Sequence, residues 1–250
     1  MRVALLLHGQ PRFVEQSFNY INSNLIVPNK CDVFAHFWYD NTLIENPYKY
    51  GGTGNWINQR IPKDIDKKII ELYNPITYSI DSSVEFKNSS LSFDESIKKY
   101  YKGALEKPEL EPDFRNRQIK NMHSLWYSVM KVNELKKCYE LKNDFKYDMV
   151  IQTRFDLELK TIINCLNHNN NSLYYAEMGQ PDGMISDWIN FGSSEIMDNY
   201  ASIFVNIDTY IKYLLKERNV FCNELLIRKI CDIFSIPFIG HSWNITLPRF

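Results

Sequence analysis

Arg154, Asp156 and Glu158 occupy alternate positions at the end of Tyr147-Asp148-Met149-Val150-Ile151-Gln152-Thr153-Arg154-Phe155-Asp156-Leu157-Glu158-Leu159. Read as a strand, alternate residues share a face, so the three side chains project together. Two carboxylates at that spacing can hold a hard divalent cation through oxygen ligands. A cation there would neutralise the diphosphate of a nucleotide. The bland alternative is an amphipathic edge strand whose Arg154–Asp156 pair contributes about 0–1 kcal/mol. The segment alone favours neither.

The strand that carries these residues is apolar on both faces in its first half and charged on one face in its second. A core strand reads this way when it runs out at a sheet edge where α/β proteins bind ligands. The chain opens on a similar strand, from Arg2 to Leu7, which ends in His8-Gly9-Gln10-Pro11-Arg12. Gly9 and Pro11 mark a loop. Phe13, Phe18, Ile21 and Leu25 then recur at roughly helical spacing. Strand, glycine-containing loop and helix is how an α/β nucleotide-binding unit begins. Neither the G-x-G-x-x-G fingerprint nor a P-loop is present. Arg12, at the start of the helix, could reach a phosphate or be solvated.

Cys31–Trp38 reads as a second buried strand, with His36 as a satisfied core histidine. Residues 41–61 look irregular, and Gly51-Gly52-Thr53-Gly54 reads as a surface loop. Pro62 and Asp64 start a helix bearing Ile65, Ile69, Ile70 and Leu72, which Asn74-Pro75 stops. Thr77–Ile80 is a third strand, and residues 81–117 form a polar excursion. Gln118–Leu141 is the clearest helix, with Met122, Leu125, Trp126, Val129, Val132, Leu135 and Tyr139 as its stripe. Its N-terminal end carries Arg115, Arg117, Gln118 and Lys120. Positive charges there oppose the helix dipole and suit either a nearby anion or a solvated patch. Ser172–Glu177 is another strand, and 184–193 returns to the core. Ser193 is an N-cap, with Glu195 in the following turn. One helix then carries Ile203, Phe204, Ile207, Ile211 and Leu214. A last one, capped near Asn223, carries Leu226, Ile227, Ile230 and Ile233. Ile236–Gly240 is a final strand, followed by His241. No repeat or linker is visible, and one α/β domain over 1–250 is the simplest account.

The 250 residues include 29 basic and 30 acidic side chains, a formal net charge of −1, which lacks the basic footprint of a nucleic-acid binder. Five cysteines, an odd number with no Cys-x-x-Cys pair, argue against a zinc ribbon or a disulfide framework and fit a reducing, cytoplasmic setting. The N-terminal apolar run is too short for a signal peptide, and no run is long enough to span a bilayer.

Taken together, four segments resemble nucleotide-sugar-dependent glycosyltransferases of the glycosyltransferase-A fold, especially those that assemble bacterial or viral surface glycans. They are Val3–Arg12, Tyr147–Glu158, Ser186-Asp187-Trp188-Ile189-Asn190-Phe191-Gly192-Ser193, and Asn223-Glu224-Leu225-Leu226 with the strand ending at His241. The resemblance implies a single Rossmann-like domain with a mixed, mostly parallel sheet flanked by helices. It implies sugar transfer from a nucleoside-diphosphate donor to a hydroxyl of a glycan or lipid-linked acceptor, with Mn²⁺ or Mg²⁺ on the diphosphate. Asp156 would be the main metal ligand, with Glu158 and His241 as further ligands. Here the family's Asp-x-Asp is Asp-Leu-Glu. Gly9, Arg12, Arg154 and Gln118 would face the nucleotide. Asp187 would be the general base, with Glu224 as a second candidate. A lipid-linked acceptor would bring peripheral membrane contact. The competing expectations are a catalytically inactive glycan- or nucleotide-binding assembly partner and a sugar-phosphate nucleotidyltransferase. The latter's glycine-rich opening loop has only Gly9 to stand for it.

Overall fold

The structure, a computed structural model, describes residues 1–40, 61–82, 86, 112–181, 183–218 and 221–248, with backbone alone for 112–120. Gly51-Gly52-Thr53-Gly54, most of the 81–117 excursion and the side chain of Gln118 lie outside the described residues.

In chain order the strands are β1 (Val3–Gly9), β2 (Asp32–Trp38), β3 (Thr77–Asp81), β4 (Met149–Arg154), β5 (Glu158–Leu159), β6 (Leu173–Ala176), β7 (Ile189–Gly192), β8 (Phe238–His241) and β9 (Ile245–Thr246). Seven of them form one sheet in the order β3-β2-β1-β4-β7-β6-β8, and β5 pairs with β9 beside it. β1 to β4 are mutually parallel, β7 runs antiparallel between β4 and β6, and β8 lies parallel to β6. This is the expected mixed, mostly parallel α/β sheet.

The longer helices are α1 (Val14–Ile21), α2 (Ile65–Tyr73), α3 (Pro112–Lys142), α4 (Ser194–Ala201), α5 (Ile203–Arg218) and α6 (Asn223–Phe234). They cover both faces, so β1 and β4 are apolar on both. Ala4, Leu6, Phe34 and Val150 pack with Trp126, Val129, Tyr200, Ile207 and Leu226 on one side. Leu5, Leu7, Phe37 and Ile151 pack with Ile21, Leu25, Ile65 and Ile69 on the other. Each such fully buried apolar side chain stabilises the fold by about 1.5–3 kcal/mol relative to exposure.

α3 is also tied to α4 by charge. Lys136, fully buried, donates to Ser194 Oγ at 2.6 Å and Asp198 Oδ1 at 2.8 Å. Ser194 Oγ and the Tyr147 N–H in turn donate to Glu140 Oε1 at 2.7 and 2.9 Å. Burial pushes the Glu140 carboxyl up, but these bonds and the lysines more than offset it, and its pKa falls below the usual value.

Four local expectations need correction. The stretch 147–159 is not one strand: β4 ends at Arg154, and Phe155-Asp156 make a turn before β5. The clearest helix begins at Pro112, inside the expected excursion. The segment after Ser193 is two helices rather than one, although Ser193 does cap the first, accepting from the Ile196 N–H at 3.3 Å. α6 is preceded by Cys222 in extended backbone with no side-chain cap, and Asn223 is its first residue.

Candidate functional site

β1 and β4 run side by side in parallel, with His8 opposite Arg154, so both end at the same edge. Gly9 turns the chain there with φ 101°, a left-handed value that disfavours any side chain. Its N–H donates to Ser128 Oγ of α3 at 2.9 Å. His36 Nδ1 lies 2.5 Å from the same hydroxyl, and its Nε2 lies 3.2 Å from Asp81 Oδ2. His36 is therefore the satisfied core histidine its apolar surroundings suggested, and it holds the Gly9 turn through Ser128. Beyond the turn, the Arg12 side chain donates to Gln10 Oε1.

A cavity of about 490 Å³ opens at this edge. Gly9, Arg12, Arg154, Asp156, Asp187 and Glu224 all line it. Six of the nine residues singled out in the sequence thus meet, though they lie up to 215 positions apart, from Gly9 to Glu224. Gly9 and Arg12 come from the β1–α1 loop, and Arg154 and Asp156 from the end of β4. Asp187 precedes β7, and Glu224 sits in the first turn of α6. His8, Gln10, Trp38, Asn223, Cys222 and Phe221 also line the cavity and were not expected there. Of these, Asn223 stood in the segment Asn223-Glu224-Leu225-Leu226, and His8 and Gln10 in Val3–Arg12, but none was assigned a role at the site.

The electrostatics follow from half-burial of charge. Arg154 forks onto Asp156, with Nε to Oδ1 and Nη2 to Oδ2 both at 2.7 Å. Such bidentate, charge-assisted pairs are short and directional. Burial works against the Arg154 cation, but Asp156, with Asp187 behind it, more than offsets this and raises its pKa. Burial pulls Arg12 down to about 10, against the attraction of Asp156 and with the help of Arg154. Both guanidiniums are therefore cations at neutral pH. Burial also raises the Asp187 pKa, and Glu224 adds to the rise, while Arg154 and Asn223 oppose it. Asn223 Nδ2 donates to Asp187 Oδ2 at 2.9 Å, and its Oδ1 accepts from the Trp126 indole at 3.1 Å. An indole N–H can only donate, so it fixes which way round the amide lies and what it offers Asp187. His8, fully buried, is driven down to about 3, first by burial and then by Arg154 and His36, and is neutral.

The three residues expected to ligate a metal do not come together. Asp156 is 2% exposed, and both its oxygens are engaged by Arg154. Glu158 lies beyond the turn and accepts from Gln16 Nε2 at 2.7 Å and Thr246 Oγ1 at 3.0 Å. His241 sits in an aromatic cluster on β8, stacked on Trp243 at 4.8 Å and edge-on to His168 at 5.1 Å. Among the described residues, no group of three or more His, Cys, Asp or Glu side chains is placed to hold a metal ion. The expected three-residue set for Mn²⁺ or Mg²⁺ is therefore not assembled, and Asp156, the member of it that lines the cavity, is committed to Arg154.

No family model matches the chain, and no curated protein matches it. Among solved structures, the fold is similar to the apo form of mouse xyloside xylosyltransferase 1. The match covers 96% of this chain and 84% of that one, at 9% identity and a TM-score of 0.44. The chemistry of the site is therefore read from its own residues.

Proposed function

We propose that this chain is a glycosyltransferase, moving a sugar from a nucleoside-diphosphate donor to a hydroxyl of a glycan or glycolipid acceptor. One observation carries the reading: a single cavity sets two guanidiniums, Arg12 and Arg154, beside a carboxylate of raised pKa, Asp187. Those groups answer the two needs of the reaction. The leaving nucleoside diphosphate gains negative charge as the glycosidic bond breaks, and preorganised cations stabilise that charge. The attacking hydroxyl must lose a proton, and a carboxylate within reach contributes about 10²–10⁴-fold by taking it. Asp187, oriented by Asn223, is the better candidate for that base, and Glu224 tunes it. The Gly9 turn lets the backbone come close to the donor without a side chain in the way.

The test is release of nucleoside diphosphate from a panel of nucleotide sugars, with and without simple glycan acceptors. One donor should turn over. Asp187→Asn should lose about 10²–10⁴-fold in kcat while still binding that donor. Failure of every nucleotide sugar and nucleoside diphosphate to bind would remove this reading and favour a glycan-binding role.

A further inference from the structure

We infer that the donor's diphosphate is held by Arg12 and Arg154 without a bridging divalent cation, and that Asp156 acts as the positioning anchor of Arg154. This rests on the donor-site reading above and adds to it how the charge is met. Three observations carry it. The Asp156 carboxylate, the only acidic group at the end of β4 that lines the cavity, presents both oxygens to the Arg154 fork at 2.7 Å. Glu158, the second acid of the expected pair, is carried by the Phe155-Asp156 turn onto β5, where Gln16 and Thr246 hold it. Arg12 and Arg154 line the same cavity, and Arg154 is close enough to lower the proton affinity of Arg12.

The cavity wall carries Asp156, Asp187 and Glu224 as well, and Arg12 and Arg154 are the groups on it that can pair with the negative charge of a diphosphate. A divalent cation on Asp156 would share that carboxylate with Arg154 and sit against a guanidinium of like sign. The guanidinium is planar and offers parallel N–H bonds that match phosphate oxygens. Held by Asp156 on one edge, Arg154 keeps its remaining N–H groups in a fixed direction.

The test is calorimetric titration of UDP, GDP, CDP and dTDP into the whole chain, in EDTA and again in Mn²⁺. One nucleotide should bind with the same affinity in both. Arg154→Lys keeps the charge and loses the fork, and it should weaken binding about 10–100-fold in EDTA. Asp156→Asn should change the affinity by the same factor in EDTA as in Mn²⁺. Thermal unfolding without ligand checks that both variants are folded. Binding that appears only in Mn²⁺, or a loss in Asp156→Asn confined to Mn²⁺, would overturn this inference and leave the donor site standing. Binding of no nucleotide in either buffer would overturn the donor site and this inference with it.

Discussion

Asp187 owes its raised pKa to two separable causes, burial and the neighbouring charge of Glu224, and Asn223 opposes both through one hydrogen bond. If Asp187 is the base, it acts only when ionised, so kcat/KM rises with pH through its pKa in the free enzyme. Removing the second charge should ease ionisation, and Glu224→Gln should move the acid limb of that profile to lower pH. Asn223→Ala removes a bond to the carboxylate and should move the limb to higher pH. Opposite displacements in the two pH–rate profiles are the expected outcome. A limb that stays put in both variants would show that another group titrates. At this scale much of the site was legible. Arg12, Arg154, Asp156, Asp187 and Glu224 were visible as charges at the ends of apolar strands or the starts of helices, and the structure places them around one cavity. The grouping of Glu158 and His241 with Asp156 was not legible. For Glu158 it assumed that alternation continues past Arg154, where Phe155-Asp156 turn the chain instead, and for His241 it rested on the resemblance alone.

At the scale of elements, α3 and α4 are joined by a buried ion network rather than by apolar contact alone. Lys136 is fully buried among Glu140, Ser194 and Asp198. Removing one partner of such a group leaves an uncompensated charge and costs about 3–5 kcal/mol. Urea unfolding of Lys136→Met should show a loss of that size, and much of it should return in the double variant Lys136→Met, Glu140→Leu. No local pattern announced this network. Lys136 and Glu140 stand four apart in a polar-looking helix, and their burial is decided by α4, more than 50 residues downstream. The strands were easier to see. β1 and β4, covered on both faces, are apolar on both through Val3–Leu7 and Met149–Ile151, and the N-cap Ser193 follows the end of β7. The pair β5–β9 escaped notice because strands of two residues carry no period.

On the scale of the whole molecule, the core and the site share residue neighbours. Phe155 lies between Arg154 and Asp156 in sequence, but its ring is fully buried in the core. It meets Phe37 at 6.1 Å and Tyr73 at 5.9 Å, in both cases near edge-to-face. Phe155→Ala should cost about 3–5 kcal/mol in denaturant unfolding, and nucleotide affinity should fall with it, because the turn that aims Asp156 at Arg154 loses its anchor. A destabilised variant with unchanged affinity would separate the two. The parallel pairing of β1 with β4 carries a further consequence, one of timing. The Arg2 N–H bonds the Asp148 carboxylate at 2.6 Å across 146 residues of sequence. Ribosomes add about 5–20 residues per second, so one edge of β1 waits about 7–30 s for the strand that will cover it. Pairing with β2 covers only the other edge in that interval. The strand order that brings Gly9 beside Arg154 therefore also creates a nascent chain with an open apolar edge, and with it a demand for chaperones during synthesis.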